Sequence, residues 1–152
     1  MEYRIIPKYF EELDIGDRII TPARTVTEAD VVNYASLSGD WNLMHTDEEF
    51  AKKTIFGKRI NYGMLTMVIA AGLVFRLGII DYNALALLGL DIKWTLPVFI
   101  GDTIHCTAEV TEKRPTRKPD RGILSLKILV FNQSREQVAE AVQTFMYARK
   151  PQ

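Results

Sequence analysis

The pattern of apolar and polar positions changes from helical to strand-like near residue 82. In the first part, apolar side chains recur at helical spacing over residues 27–39, so this segment is predicted to form a helix. Thr27 and Asp30 fit an acidic capping box at its start, and Gly39 suits its end. Residues 17–25 are predicted to form a short strand before it.

A short polar segment follows this helix, with the sequence SGDWNLMHTDEEFA over residues 38–51. Thr46, with Glu49 three positions later, matches a second capping box and predicts a short helix at about 47–53. The irregular loop before that helix brings together three polar side chains, those of Asp40, Asn42 and His45. This loop is therefore the first place to look for a functional site.

The next segment, YGMLTMVIAAGLVFRLGII at residues 62–80, is apolar on every face. Its length approaches that of a membrane span. Arg76 lies inside it, however, and a helix that is apolar all round can equally be the buried helix of a globular fold. We favour a buried helix over about 63–78, and we expect no membrane span.

Four strands are predicted after residue 82, at residues 84–98, 103–113, 123–133 and 136–149. The first carries apolar residues on both faces before it alternates, and the last two are joined by a hairpin at residues 132–135. The chain, residues 1–152, is thus predicted to be one α+β domain with an antiparallel sheet on one apolar helix. Because such a sheet has an open edge, a homodimer or higher homo-oligomer is expected.

Composition narrows the classes of function. The 152 residues contain 19 Lys+Arg and 19 Asp+Glu, a formal net charge of zero, which argues against broad nucleic-acid binding. Cys106, the single cysteine, is predicted to be a small buried side chain. His105 is placed on the polar side of a strand, and we expect no metal site. The amino-terminal 17 residues lack a long apolar run, so a cytoplasmic location is expected.

Residues 34–66, YASLSGDWNLMHTDEEFAKKTIFGKRINYGMLT, resemble the hydratase motif of the MaoC-like, or (R)-specific enoyl-CoA hydratase, family. The shared features are Asp-x-Asn-x-x-His and a helix that opens with Gly-Met-Leu. The segment LDIKWTLPVFIGDTI, residues 90–104, resembles the family's strand with its Pro-Val and Gly-Asp turn. The resemblance extends over roughly residues 13–148.

The resemblance implies a hot-dog fold, in which a curved antiparallel sheet wraps a central helix, and a dimer. It also implies reversible hydration of trans-2-enoyl thioesters to (R)-3-hydroxyacyl thioesters on coenzyme A or acyl carrier protein. No metal or redox cofactor is expected.

The candidate residues suit this chemistry. Asp40 and His45 can together bind one water, with one residue as the base and the other as polariser or proton carrier. The sequence leaves open which of the two is the base. Asn42 can tie the loop between them to backbone groups. The backbone N–H of Gly63, at a helix start, suits the enolate oxygen.

Two positions depart from the family pattern. Leu43-Met44 stands where the family often has Pro before an apolar residue, and Tyr62 stands where many hydratases carry His. We expect Tyr62 to line the substrate site, where it would narrow the acyl pocket or bind a polar group such as a carboxylate.

Other interpretations stay open. The domain could bind acyl thioesters without chemistry or be the partner subunit of a two-subunit dehydratase, although the intact Asp40–His45 pair argues against both. A thioesterase would use an acid on the central helix, and residues 63–75 contain none. Trp41 and Trp94 are predicted to be packing residues rather than substrate stackers. The basic loop 114–121 is predicted to be solvated rather than bound to coenzyme A phosphates.

Overall fold

A short 3₁₀ turn at Phe10–Glu12 and ten helices and strands make up residues 6–151, the part of the chain that the structure, a computed structural model, describes. The elements are β1 (Arg18–Ile20), β2 (Arg24–Thr25), α1 (Glu28–Ser38), α2 (Leu43–Thr46), α3 (Glu48–Ala51), α4 (Gly63–Phe75), β3 (Ala84–Trp94), β4 (Thr103–Pro115), β5 (Arg121–Phe131) and β6 (Gln137–Ala148). The cytoplasmic location was predicted from the amino-terminal 17 residues. Residues 1–5 of that segment lie outside the described residues.

The strands form an antiparallel sheet in the order β1-β4-β5-β6-β3, and β2 pairs with β4 beyond the end of β1. Helix α4 packs on the inner face of this sheet, and together they form one hydrophobic core. Cys106 is buried there, as predicted. The predicted α+β class, with an antiparallel sheet on an apolar helix, is confirmed.

The predicted hairpin between β5 and β6 is confirmed. Asn132 accepts hydrogen bonds from the N–H groups of Ser134 and Glu136, at 2.9 and 3.0 Å, through one side-chain oxygen. Arg135 takes a left-handed φ of 63° at the end of the turn. An asparagine that holds its own turn is a local signal, which is why this feature is readable from sequence.

Strand β3, which was predicted to carry apolar residues on both faces before it alternates, leaves most of them exposed. Among the described residues it lies at the edge of the sheet, and its one strand partner there is β6. Its large apolar side chains are between 41% and 52% exposed in the isolated chain, namely those of Leu85, Leu87, Leu88, Leu90 and Trp94. Sequence periodicity reports an apolar strand but does not distinguish an interior strand from an apolar edge.

Two predicted boundaries were also wrong. The strand predicted at residues 17–25 is split into β1 and β2, because Pro22 has no N–H to donate to a strand ladder. Helix α4 ends at Phe75 rather than at about residue 78. Gly78 donates its N–H to the carbonyl of Phe75, three residues back, and takes a left-handed φ of 68°, which turns the chain away.

Helix α4 is not buried on every side. Met64, Val68 and Gly72, one turn apart, lie on its exposed face. Within residues 6–151 no helix has both the length and the apolarity that crossing a bilayer requires. The cytoplasmic location stays a prediction.

Candidate functional site

The end of α1 fixes the position of Asp40. The Thr27–Asp30 capping box starts this helix as predicted, and Gly39 ends it with a left-handed φ of 74° and an N–H bonded to the carbonyl of Ala35. Asp40 follows at once, and one of its carboxylate oxygens accepts the N–H of Asn42 at 3.1 Å. The other oxygen has no protein partner among the hydrogen bonds of the described residues.

Asn42 begins the one-turn helix α2 that carries His45. Its side-chain oxygen accepts the N–H of Met44 at 3.0 Å, so the predicted role of Asn42 in tying the loop is confirmed. The second predicted capping box was wrong. Thr46 is the last residue of α2 and donates its hydroxyl to the carbonyl of Asn42, while Asp47 caps α3 by accepting the N–H of Phe50.

The imidazole of His45 is oriented by the backbone of a distant segment. Its Nδ1 lies 2.8 Å from the carbonyl oxygen of Ile60. A carbonyl oxygen only accepts hydrogen bonds, so Nδ1 carries the proton. In the neutral imidazole, Nε2 therefore has a free lone pair, as a proton acceptor requires.

Tyr62 connects the two candidate catalytic residues. Its ring lies 3.8 Å from that of His45, centroid to centroid, and its hydroxyl donates to the backbone carbonyl of Asp40 at 2.5 Å. Among residues 6–151 no direct hydrogen bond joins the side chains of Asp40 and His45. The tyrosine is 3% exposed, and burial together with the nearby charge of Asp40 raises its pKa. It is thus a neutral donor at physiological pH.

This hydrogen bond argues against the expectation that Tyr62 binds a carboxylate on the acyl chain of the substrate. The single hydroxyl proton is already donated to the protein, so donation to a substrate carboxylate would require that bond to break. The structure instead places Tyr62 as the residue that joins the Asp40 segment to the His45 ring.

Gly63 is the first residue of α4, where backbone N–H groups have no partner within the helix. The preceding residue, Tyr62, gives no side-chain hydrogen bond to cap them. A Cβ on Gly63 would lie 2.7 Å from Nε1 of Trp94, so any larger residue here would displace this indole. Contact with Trp94, rather than an unusual backbone angle, explains the glycine.

A cavity of about 290 Å³ opens beside Gly63. It is lined by the residues Phe56, Ile60, Asn61, Gly63, Thr66, Trp94, Thr95, Leu96, Pro97 and Val98. Asp40, His45 and Tyr62 do not line it in the single chain. The structure thus brings the predicted residues into one region but not onto one cavity wall.

Two residues of this cavity were missed by sequence reasoning. Asn61 is buried and donates to the hydroxyl of Thr66 at 2.9 Å, while its own amide oxygen has no partner. Trp94 was predicted to be a packing residue but lies half-exposed over Gly63. The cavity forms where the N–H of Asn61 bonds to the carbonyl of Val98. This contact joins segments that are distant in the sequence, so no local pattern reveals it.

Arg59 links the two helices that flank the candidate site in the sequence. Its guanidinium donates to both carboxylate oxygens of Glu28 on α1, at 2.8 and 2.7 Å, and to Glu48 on α3 at 3.2 Å. The hydrogen bonds from Arg59 lower the pKa of Glu28. Since α1 and α3 lie on either side of the segment with Asp40 and His45, this ion pair restrains both ends of it.

The remaining predicted residues lie elsewhere. Trp41 is 56% exposed, so its assignment as a packing residue was wrong. His105 is half-buried and stacks on Phe131 at 5.5 Å. In the basic loop, Arg121 pairs with Asp120. Across the described part of the chain, no cluster of His, Cys, Asp and Glu is arranged to hold a metal ion.

Comparison with known proteins identifies the type of domain. A family model described as "MaoC like domain" matches residues 12–130. "Protein MaoC" of Klebsiella aerogenes is 43% identical over 124 residues, which are 80% of this chain and 36% of that protein. This chain therefore spans about a third of that relative. An (R)-specific enoyl-CoA hydratase of Rhodospirillum rubrum is 37% identical over 118 residues, 75% of this chain and 77% of that one.

Solved structures agree with the fold. A monoamine oxidase regulatory protein from Archaeoglobus fulgidus is 43% identical and superposes with a TM-score of 0.89, covering 95% of this chain and 97% of that one. A Mycobacterium tuberculosis protein with a double hot-dog fold, 18% identical, superposes with a TM-score of 0.80 over 95% of this chain and 45% of that one. The predicted hot-dog fold is therefore confirmed.

Proposed function

This chain belongs to the MaoC-like family, and on that premise we propose that it hydrates trans-2-enoyl thioesters reversibly to (R)-3-hydroxyacyl thioesters. The observation that carries the proposal is the orientation of His45. The Ile60 carbonyl holds the proton on Nδ1, which leaves Nε2 as the base. The free carboxylate oxygen of Asp40 orients the water.

In the proposed reaction, Nε2 of His45 accepts a proton from water while the water oxygen bonds to C3 of the enoyl thioester. The electron pair of the C2=C3 bond moves to give an enolate on the thioester oxygen. The N–H of Gly63 stabilises that charge. The proton then passes from His45 to C2, the carbonyl re-forms, and the sum is one added water.

Coenzyme A or acyl carrier protein is the proposed carrier of the acyl group. A cavity of about 290 Å³ suits a short acyl chain next to the thioester. The apolar lining around Gly63 lowers the local dielectric constant, which strengthens each donor to the enolate.

We also propose a homodimer that pairs through β3. Its outer edge has no strand partner within the described residues, and its leucines are half-exposed. Addition of a second β3 would satisfy the unpaired backbone groups and bury these leucines.

Hydration of crotonyl-CoA by the purified protein tests the proposal, with loss of the enoyl-thioester absorbance as the signal. Asp40→Asn and His45→Ala should each lower kcat by at least about 100-fold while staying folded. His105→Ala makes the same change on the histidine of β4 and should keep full activity. Equal activity in all four proteins would refute the site.

A binding module without chemistry is the second candidate, because neither Asp40 nor His45 lines the cavity in the single chain. Butyryl-CoA, which cannot be hydrated, separates the two. A protein that is stabilised thermally by butyryl-CoA but does not hydrate crotonyl, longer or branched enoyl thioesters is a binding module.

A further inference from the structure

We infer that Lys58 binds a phosphate group of coenzyme A at the edge of the cavity beside Gly63. The inference rests on the proposed function and deepens it, because it takes coenzyme A as the carrier of the acyl group. It assigns a binding role to a cation that lies between the segment with Asp40 and His45 and the start of α4.

Lys58 lies beside the cavity rather than inside it. Phe56 and Ile60, two residues before and two residues after it, both line the cavity, while Lys58 is exposed. Ile60 forms an isolated antiparallel bridge with Phe99, and Val98, the neighbour of Phe99, lines the cavity as well. The segment that carries Lys58 is therefore part of the rim through which a thioester would enter.

An aromatic contact fixes the position of the charge. The Nζ atom of Lys58 lies over the ring of Phe99, 4.2 Å from its centroid. The face of an aromatic ring attracts an ammonium group without neutralising it. Because the side chain is already restrained, it loses less conformational entropy when it binds an anion.

The nearby carboxylate does not neutralise this charge. Among residues 6–151 no carboxylate forms an ion pair with Lys58. Asp102 is the acid that contacts the Phe99 segment, and both of its oxygens are in use. One accepts the N–H of Phe99 at 2.8 Å, and the other accepts the side-chain amide of Gln133 at 2.9 Å. The ammonium of Lys58 is thus left to bind an external anion.

The sequence around the cavity also favours an anion. Residues 50–80 contain no Asp or Glu, and their cations are Lys52, Lys53, Lys58, Arg59 and Arg76. The charges of Lys52 and Arg59 are offset by ion pairs with Glu49 and Glu48. Within the described residues, Lys58 is the cation flanked by cavity-lining residues that no acid offsets.

The separation from the proposed reaction site suits coenzyme A. Five residues lead from Lys58 to Gly63, and an extended chain of that length spans at most about 18 Å. With the thioester oxygen at the N–H of Gly63, an extended pantetheine arm is long enough to bring a phosphate to Lys58. Phosphate oxygens are strong acceptors, and a lysine ammonium binds them as a point charge.

Lys58→Gln tests the inference, because it removes the charge and keeps a polar side chain. At low ionic strength we expect KM for crotonyl-CoA to rise about 5-fold with kcat unchanged, as for an exposed ion pair that is the same in substrate and transition state. The increase should shrink when salt is added. Crotonyl-pantetheine, which carries no phosphate, should give the same KM with the wild type and the variant.

Two control variants and one further substrate complete the design. Lys58→Arg keeps the charge and should keep a KM near that of the wild type. Lys118→Gln makes the matched change in the basic loop 114–121, which does not line the cavity, and should leave KM unchanged. Crotonyl-3′-dephospho-CoA identifies the phosphate: the effect of Lys58→Gln persists with it if Lys58 binds the diphosphate and disappears if Lys58 binds the 3′-phosphate.

Three results would overturn the inference. The first is an equal KM of wild type and Lys58→Gln for crotonyl-CoA. The second is an equal rise of KM for crotonyl-pantetheine, which would reflect altered packing of the cavity wall. The third is a rise of KM in Lys118→Gln in place of Lys58→Gln, which would assign the phosphates to the basic loop.

A binding measurement keeps the inference separate from the proposed function. A wild-type protein that hydrates no enoyl thioester overturns the proposed function. The dissociation constant of butyryl-CoA, measured by calorimetry, then makes the same comparison without catalysis. Weaker binding of butyryl-CoA by Lys58→Gln, with equal binding of butyryl-pantetheine, supports the role of Lys58, and equal binding of butyryl-CoA by the two proteins overturns it.

Discussion

Tyr62→Phe should weaken catalysis without disturbing the ring contacts around His45. The change removes one oxygen, whose hydrogen bond to the Asp40 carbonyl is 2.5 Å long, and keeps the ring that lies 3.8 Å from the imidazole. A hydrogen bond of this kind contributes about 0.5–1.5 kcal/mol net. If that free energy holds Asp40 in its reactive position, kcat should fall about 2- to 12-fold.

The same bond stabilises the fold, so the free energy of unfolding in urea should decrease by about 0.5–1.5 kcal/mol. Tyr34→Phe is the control. Its ring lies 4.8 Å from that of Tyr62, and its hydroxyl has no hydrogen-bond partner among the described residues. Both kcat for crotonyl-CoA and urea unfolding are measured for the two variants. If Tyr62→Phe behaves like Tyr34→Phe in both assays, the hydroxyl does not position Asp40 and the reasoning is wrong.

Three further perturbations test the surroundings of the site. Asn42→Ala removes the cap of α2 and should cost about 1 kcal/mol in urea unfolding together with part of kcat; full stability would contradict the capping role. Hydrogen bonds from Arg59 lower the pKa of Glu28, so their ion pair stabilises the fold near neutral pH and this contribution is lost as pH falls through the lowered pKa. Wild type should thus be more stable than Arg59→Met near neutral pH, with a gap that closes in acid; a constant gap would refute the linkage. The double variant Leu87→Lys/Leu88→Lys should shift the mass in light scattering from dimer to monomer, and an unchanged mass would exclude this edge.

Local signals account for the parts of the fold that the sequence predicts well. The box of Thr27 and Asp30, the left-handed Gly39 and the turn at Asn132 each depend on hydrogen bonds within a few residues. Such contacts are encoded by neighbouring side chains, so their patterns survive in the sequence. The prediction of a second capping box was wrong because Asp47, and not the neighbouring Thr46, occupies the N-cap position of α3.

Long-range pairing accounts for what the sequence leaves out. The orientation of His45 depends on the carbonyl of Ile60, and Asn61 meets the cavity because its N–H bonds to Val98. The contact between Gly63 and Trp94 likewise joins a helix start to the end of an edge strand. The sequence motif identifies Asp40, Asn42 and His45, but the partners that orient them lie in segments that only the fold brings close.

The direct test of the central claim is the ratio of kcat values of wild type and Asp40→Asn for crotonyl-CoA, both shown to be folded by thermal unfolding. Asp40→Asn keeps the size of the side chain and removes its charge. A ratio of at least about 100, with (R)-3-hydroxybutyryl-CoA as the wild-type product, is the predicted result. A ratio near one in an active protein would show that the Asp40 carboxylate does not orient the water and would contradict the account.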